Sequence, residues 1–137
     1  MPGPASSHQI VSAYRDLYRT ALHAVRYARP ARYVIRDRLR RAFREAPAED
    51  FEPARIANTL RFLEAAGADR GLEHRVLKTL CHVWWAEQEQ WSRRRLVLQM
   101  HQKGGATAEV QDAVVRGYDQ FYEMLRLLNQ SMGMCLR

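Results

Sequence analysis

The chain has 137 residues, of which 47% are apolar and 27% are charged, and its formal net charge is +7. These values are typical of a globular domain that is long enough to bury a core. No apolar run approaches the roughly 20 residues that are needed to cross a bilayer, so the sequence predicts no membrane span. Two isolated cysteines make no disulfide framework, so we expect Cys81 and Cys135 to be free, the latter in a frayed C-terminal segment.

The positive charge is concentrated in the first third of the chain. Residues 1–46 contain ten arginines and three acidic residues, whereas residues 47–137 contain twelve basic and twelve acidic residues. A diffuse positive charge attracts polyanions in general. Because the whole excess lies in one segment, we expect a single acidic docking partner for it. The N-terminus has no apolar secretory signal and no acid before Asp16, a pattern compatible with mitochondrial import.

The first predicted helix begins after Ser6 or Ser7, since either hydroxyl can cap it. It is expected to end near Tyr27, because Pro30 disfavours helical geometry at the residue before it. Its apolar residues recur at the spacing of one buried face: Ile10, Tyr14, Leu17, Tyr18, Ala21, Leu22 and Val25.

The second predicted helix runs from Pro30 to Glu45 and carries a row of arginines beside a row of apolar side chains. The arginines recur every four residues, at Arg32, Arg36, Arg40 and Arg44. Like charges at this spacing repel each other by a few tenths of a kcal/mol per pair. The row therefore needs an acidic partner or full hydration, and a solvated cationic face is the simpler alternative.

Three further helices are predicted in the rest of the chain. The third is expected over residues 53–66, with Gly67 as a left-handed stop. The fourth is expected over residues 72–102, and the fifth after Gly104-Gly105, with Thr107 as its cap. We expect the fourth and fifth helices to fold back on each other as an antiparallel pair. No strand pattern is present, so the sequence predicts an all-α fold.

No convergent catalytic or metal-ligating set can be assembled from the sequence. The five histidines share no metal-ligand spacing, and the chain has neither a glycine-rich phosphate loop nor a Gly-x-Ser-x-Gly turn. We therefore expect a protein that is not an enzyme, with no metal site and no cofactor of its own. Adjacent tryptophans cannot both face one core, so Trp84 is expected in the core. Trp85 is expected either beneath a neighbouring helix or as an exposed anchor for a protein partner.

One group of residues resembles the mitochondrial LYR-motif family. The group consists of Leu17-Tyr18-Arg19, followed by Leu22, and of Ala42-Phe43-Arg44 at the end of the second helix. Tyr14-Arg15 offers a second frame four residues earlier, with Ala13 in the place of the leucine. The resemblance implies an LYR-type three-helix domain over residues 1–67. An antiparallel helical hairpin over residues 71–137 would pack on it, and the two parts can also form one compact unit.

The resemblance further implies an adaptor in the mitochondrial matrix that binds the mitochondrial acyl carrier protein. The partner's acidic helix would meet the residues Leu17, Tyr18, Arg19, Arg15, Arg36, Arg40, Phe43 and Arg44. Arginine suits this contact because its planar fork binds carboxylates bidentately. The partner's acyl-4'-phosphopantetheine would place its acyl chain in an apolar tunnel lined by Ala21, Ile35, Leu39, Ala57, Leu60 and Leu63.

The expected client of such an adaptor is a mitochondrial complex, either the ribosome or a respiratory assembly, contacted through the C-terminal hairpin. A different reading of the same arginines is a basic ribosomal subunit or assembly protein that contacts rRNA phosphates. Binding to RNA should weaken steeply with salt, whereas burial of an acyl chain should survive moderate salt. A third alternative is a purely structural helical subunit. The sequence leaves open which complex is served and how long the acyl chain is.

Overall fold

A computed structural model describes the backbone of residues 4–100 and 108–136 and the side chains of residues 4–90 and 116–136. Its five α-helices are α1 (Ser7–Ala24), α2 (Ala31–Glu45), α3 (Pro53–Ala68), α4 (Leu72–Met100) and α5 (Ala108–Met132). A short 3₁₀ turn, Ala48–Asp50, lies in the connection between α2 and α3. The described residues contain no strand, so the predicted all-α fold class is confirmed. Gly104, Gly105 and Thr107 lie outside the described residues.

The start of α1 follows directly from its local sequence. The Ser6 Oγ accepts a hydrogen bond from the Gln9 backbone N–H (3.3 Å), and the Gln9 Oε1 accepts one from the Ser6 N–H (3.1 Å). This reciprocal capping box satisfies two backbone donors that have no partner inside the helix. The helix ends at Ala24, three residues before the predicted end, because Arg26 and Tyr27 adopt left-handed φ values of 53° and 55°.

The predicted left-handed stop at Gly67 is wrong, because α3 continues through Gly67 to Ala68. The glycine instead allows α1 and α3 to cross closely. A Cβ at this position would lie 3.4 Å from the Ala24 Cα and 2.8 Å from the His23 Nδ1. Ala24 and Ala66 are fully buried at the same crossing.

Four helices enclose one core. α1 packs against α2 and α3, and α4 packs against the same two helices, so the four close into a ring. The core also takes side chains from α5 and from the residues that follow it. Its most buried large members include Leu17, Leu63, Leu77, Leu80, Leu125 and Met134. None of the described helices combines the length and the apolarity that a membrane span requires.

α4 and α5 run antiparallel, as predicted. The Tyr118 hydroxyl donates to the Gln90 Oε1 (2.9 Å), and one turn further along α5 the Tyr122 hydroxyl donates to Glu87. The later residue of α5 thus contacts the earlier residue of α4, which is the arrangement of two antiparallel helices. The side chains of residues 91–115, which include Trp91, lie outside the described part of the chain.

The segment after α5 folds back onto α3, so the prediction of a frayed C-terminal segment is wrong. Gly133, at φ 62°, ends the helix, and the Met134 N–H donates to the Asn129 carbonyl (2.9 Å) in a Schellman arrangement. The Asn58 side chain donates to the Gly133 carbonyl (3.1 Å), and the Cys135 N–H donates to the Thr59 hydroxyl (3.1 Å). Both cysteines are free, as predicted.

Candidate functional site

A cavity of about 310 Å³ lies between α1, α2, α3 and the first half of α4. Its lining includes exposed residues of the α2–α3 connection, such as Pro47 and Ala48, and deeply buried residues, such as Leu77 and Trp84. The cavity therefore runs from the surface at this connection into the core. Its walls are mainly apolar, and its volume lies at the lower end of the roughly 300–1,000 Å³ found for ligand pockets. We call it the apolar cavity.

Four of the six side chains predicted to form an acyl tunnel line the apolar cavity, namely Ala21, Ile35, Leu39 and Leu63. Leu60 is half-buried against the core and lies outside the lining. Ala57 is exposed and also lies outside it. The inward face of α3 carries Ile56, Thr59 and Leu63, and the position after Ile56 is rotated by about 100° away from that face.

Several residues of the cavity wall were not predicted from the sequence. They are Ile10, Ala42, Phe51, Ile56, Thr59, Leu77, Trp84, Cys135 and Leu136, together with polar residues of the rim. Helical periodicity places Ile10, Ile56, Leu77 and Trp84 on inward faces, but it does not show which inward faces meet. The turn at Gly133 brings Cys135 and Leu136 to the cavity. The glycine itself was the single feature of the sequence that indicated this turn.

The mouth of the apolar cavity carries carboxylates as well as one arginine. Asp50 and Glu52 are exposed in the lining, and the Glu52 Oε2 lies 2.8 Å from the Arg55 Nε. An anionic group that enters here meets negative charge at this side of the mouth. Favourable electrostatics must therefore come from arginines on α1 and α2.

Four of the predicted carrier-binding arginines are exposed: Arg15, Arg19, Arg40 and Arg44. None of them forms an ion pair with a described residue. The rings of Tyr14 and Phe43 meet edge to face at 5.3 Å, which places the first half of α1 beside the second half of α2. The four arginines flank this contact in sequence, so they lie at the same end of the α1–α2 hairpin. We call them the arginine surface.

Arg36 differs from the other predicted arginines because it has partners within its own helix. Its Nε lies 3.1 Å from the Asp37 Oδ1, and its guanidinium lies 5.3 Å from the centre of the Tyr33 ring. The side chain is 35% exposed. An acidic partner would therefore compete with Asp37 for this guanidinium.

The two possible frames of the Leu-Tyr-Arg triplet occupy the same faces of α1. Ala13 and Leu17 are both buried, and Leu17 lines the apolar cavity instead of the arginine surface. Tyr14 and Tyr18 are half-buried and stack at 6.0 Å. The arginine that follows each tyrosine is exposed, so the two frames share one pattern of burial, but only Leu17 of the two leading residues lies in the described lining of the apolar cavity.

Arg38 points inward, and the four-residue spacing of the arginines from Arg32 to Arg44 did not predict its contacts. Its Nη2 donates to the Tyr122 hydroxyl (2.8 Å) and to the Glu87 Oε2 (3.2 Å), and its guanidinium lies over the Trp84 ring at 5.0 Å. Burial, and then the hydrogen bond to Glu87, raise the pKa of Tyr122. This network joins α2, α4 and α5 at the wall of the cavity.

The two adjacent tryptophans have different environments. Trp84 is 4% exposed, as predicted, and its Nε1–H is buried without an acceptor among the described residues. Trp85 is 38% exposed beside His82, so the expectation that it packs beneath a neighbouring helix is wrong. Its use as an anchor stays a prediction. Within the described residues, no three His, Cys, Asp or Glu side chains converge as metal ligands.

The fold and the site define an all-α protein with a surface-connected apolar cavity beside exposed arginines. Over 74 residues the chain is 38% identical to the UPF0593 mitochondrial protein C806.05 of Schizosaccharomyces pombe (strain 972). The match covers 53% of the chain, and the chain spans 59% of the length of this relative. No protein-family model matches the chain, and no solved structure matches it. The similarity is thus to a mitochondrial protein of an uncharacterised family.

Proposed function

We propose that this protein is a mitochondrial, non-enzymatic adaptor of the LYR type. It binds the acyl carrier protein of the matrix and supports the assembly or stability of a mitochondrial complex. The observation that carries the proposal is the apolar cavity, whose lining takes residues from α1 and α2, the two helices that present the arginine surface. The mitochondrial location is supported by the name of the fission-yeast relative.

The arginine surface supplies the recognition of an acidic helix. Arg15, Arg19, Arg40 and Arg44 have no internal ion pairs among the described residues, so their guanidinium groups are available to a partner. Each planar fork accommodates a carboxylate bidentately. Arginines with no internal partner also repel each other at helical spacing, and an acidic helix relieves this repulsion.

The apolar cavity supplies the binding of the acyl chain. Its walls, formed in part by Leu17, Ile35 and Leu63, exclude water from a hydrocarbon chain. Each methylene that leaves water contributes about 0.8 kcal/mol, so an eight-carbon chain gains several kcal/mol. The Trp84 Nε1–H has no protein acceptor among the described residues, and it would suit a carbonyl oxygen of the partner's acyl-4'-phosphopantetheine.

The roles of this chain in the proposal are to bind and to orient, and no chemical step is assigned to it. Burial raises the pKa of the Cys81 thiol to about 12, so this cysteine is protonated at neutral pH and is a poor nucleophile. The client complex, a ribosome or a respiratory assembly, would contact the exposed apolar side chains of α5, which are Met124, Leu127 and Met132. Methionine is enriched at protein interfaces, and apolar side chains gain free energy when a partner removes them from water.

The proposal is tested by capture of the carrier protein. The tagged full chain is expressed in mitochondria, purified and analysed by intact-mass spectrometry. We expect acylated carrier protein with the wild type and at least tenfold less with the double variant Arg19→Glu/Arg44→Glu. The matched control is Arg41→Glu/Arg61→Glu, which makes the same change in net charge at exposed positions outside the cavity. Equal losses in both variants, or recovery of rRNA without carrier protein, would contradict the proposal.

The contribution of the cavity is tested separately with Leu39→Trp. Leu39 is half-buried and lines the cavity, so the larger side chain occupies the space of the acyl chain. We expect less acylated carrier protein in the captured fraction, while the helical circular dichroism stays that of the wild type. An unchanged acylated fraction in a folded variant would show that the chain is not bound there.

A further inference from the structure

A second cavity, of about 710 Å³, lies at the other end of α1, between the α1–α2 turn and the first half of α4. Leu77 borders both cavities, and it is the one described residue that the two linings share. The second cavity is lined by five cationic side chains: Arg26, Arg29, Arg70, Arg75 and Lys78. We call it the basic cavity. It lies outside the arginine surface and outside the proposed acyl site.

Among the residues that the structure describes, the charges of the basic cavity have no acidic counterpart. No Asp or Glu of the described side chains, those of residues 4–90 and 116–136, lines it. All five cationic side chains are exposed, and none pairs with a carboxylate of the described residues. Five like charges around one concave surface repel each other and raise the local concentration of anions. The site therefore suits a ligand with more than one negative charge.

The floor of the basic cavity is apolar and ends at an aromatic ring. Val25, Leu77 and Cys81 are buried beneath it, while Trp85 is 38% exposed at its side. A bare inorganic anion would leave this floor and the indole uncovered. An α-helix about 10 Å wide is poorly matched to a cavity of this volume, which lies in the range of small ligands. Cationic side chains beside an exposed aromatic face are the combination that binds nucleotides, through phosphate contacts and base stacking.

The backbone of the α1–α2 turn provides a second, independent observation. Arg26 and Tyr27 are consecutive non-glycine residues in the left-handed region, at φ 53° and 55°. Their N–H groups donate to the His23 and Leu22 carbonyls (2.9 and 3.0 Å), which holds the turn in place. Glycine would adopt this turn with less strain. Strain of this kind persists at ligand sites, and here it brings the Arg26 side chain into the lining of the basic cavity.

We infer that the basic cavity binds a nucleotide, with its phosphates among the five cationic side chains and its base against Trp85. A free nucleotide and an unpaired nucleotide of single-stranded RNA present the same chemistry to this site. The inference goes beyond the proposed function, because none of these cationic residues belongs to the arginine surface.

The experiment uses the purified full chain and two probes, ATP and a fluorescein-labelled single-stranded RNA octamer. Affinity is measured by calorimetry for ATP and by fluorescence anisotropy for RNA. We expect binding of at least one probe and a loss of at least tenfold with Arg75→Glu/Lys78→Glu. The control Arg41→Glu/Arg61→Glu has the same net charge and lies outside both cavities, and it should keep most of the affinity. Trp85→Leu should weaken binding roughly tenfold through loss of stacking.

The variant Arg26→Gly separates ligand binding from folding. It removes one guanidinium and also relieves the left-handed strain, so binding should weaken while the melting temperature stays equal or rises. Tight binding of ATP with weak binding of RNA identifies a free nucleotide as the ligand. The reverse result, with a steep dependence on salt, identifies RNA.

The inference is overturned if neither probe binds, or if the control variant loses as much affinity as the cavity variant. It is also overturned if pyrophosphate or a polyglutamate peptide binds as tightly as the nucleotide probes. Arg75→Glu/Lys78→Glu should still capture the acyl carrier protein, and Arg19→Glu/Arg44→Glu should still bind the nucleotide. These two results distinguish a failure of this inference from a failure of the proposed function.

Discussion

At the scale of single residues, Cys81 shows how burial changes chemistry. The side chain is 4% exposed on the inner face of α4, and burial raises the pKa of its thiol from 9.0 to about 12. Between these two pH values the folded chain keeps a proton that the unfolded chain has lost. The contribution of this thiol to the free energy of unfolding is therefore complete below pH 9, and it is lost as the pH rises towards 12.

This pKa shift predicts that the free energy of unfolding depends on pH in a way that requires the Cys81 thiol. Between pH 8 and pH 10, the wild type should lose about 1 kcal/mol more of its free energy of unfolding than Cys81→Ala does. Urea denaturation at the two pH values, followed by circular dichroism, measures the difference. The comparison with the variant removes the contributions of the other ionisable side chains, since these are the same in both proteins. Parallel losses in the two proteins would show that the Cys81 thiol is not held in its protonated form.

At the scale of the helices, α2 carries arginines with two different roles. Arg40 and Arg44 are exposed, whereas Arg38 lies on the inner side and joins α2 to Glu87 of α4 and to Tyr122 of α5. The side chains of Arg38 and Glu87 are only 20% and 18% exposed. The pair therefore differs from a surface ion pair, since the loss of one partner leaves the other charge partly buried.

We accordingly expect Arg38→Ala to lower the free energy of unfolding by about 2 kcal/mol. Arg41→Ala, at an exposed position on the same helix, should change it by less than about 0.5 kcal/mol. Combining Arg38→Ala with Glu87→Gln should cost less than the sum of the two single changes, because the orphaned charge is then removed. Equal effects of the Arg38 and Arg41 substitutions in urea denaturation would refute the role of this network.

At the scale of the whole molecule, the segment after α5 connects the end of the chain to the apolar cavity. Met134 is 1% exposed, and Leu136 lines the cavity. The Leu136 N–H donates a hydrogen bond to the Asn129 Oδ1 (2.9 Å). The Cys135 N–H donates one to the hydroxyl of Thr59 in α3. The segment therefore forms part of the wall that a ligand in the apolar cavity would touch.

The turn at Gly133 is the feature on which this closure depends. In Gly133→Val the valine backbone must adopt φ 62°, and the valine Cβ would lie 3.0 Å from the Asn58 Nδ2. We expect a loss of at least 1–2 kcal/mol in unfolding free energy, in line with the cost of the left-handed region. We also expect faster labelling of Cys135 by a thiol reagent, measured by mass spectrometry. Gly117→Ala is the matched control on α5, since its Cβ meets nothing within 4 Å. Equal labelling of Cys135 in the two variants would contradict this reading.

The two cavities give α1 a role at each end. The apolar cavity contacts it from Ile10 to Ala21, and the basic cavity contacts it from Ala24 onwards. Arg15 and Arg19 lie in the part of α1 that contacts the apolar cavity. Arg26 comes just after the part that contacts the basic cavity. The positive charge that the sequence places in one segment is thus divided between two surfaces with different proposed ligands.

Local patterns in the sequence determined the five helices, the all-α class and the capped start of α1, because these depend on residues within one or two turns of each other. Ala21, Ile35, Leu39 and Leu63, which the resemblance to the LYR-motif family implied as part of one tunnel, lie together in the lining of the apolar cavity. Tertiary structure alone decided that Ala57 lies outside that lining, that Arg38 meets Glu87, and that Leu136 reaches the cavity. A cavity is defined by the faces of elements that are distant in sequence, and helical periodicity specifies each face but not the face that it meets.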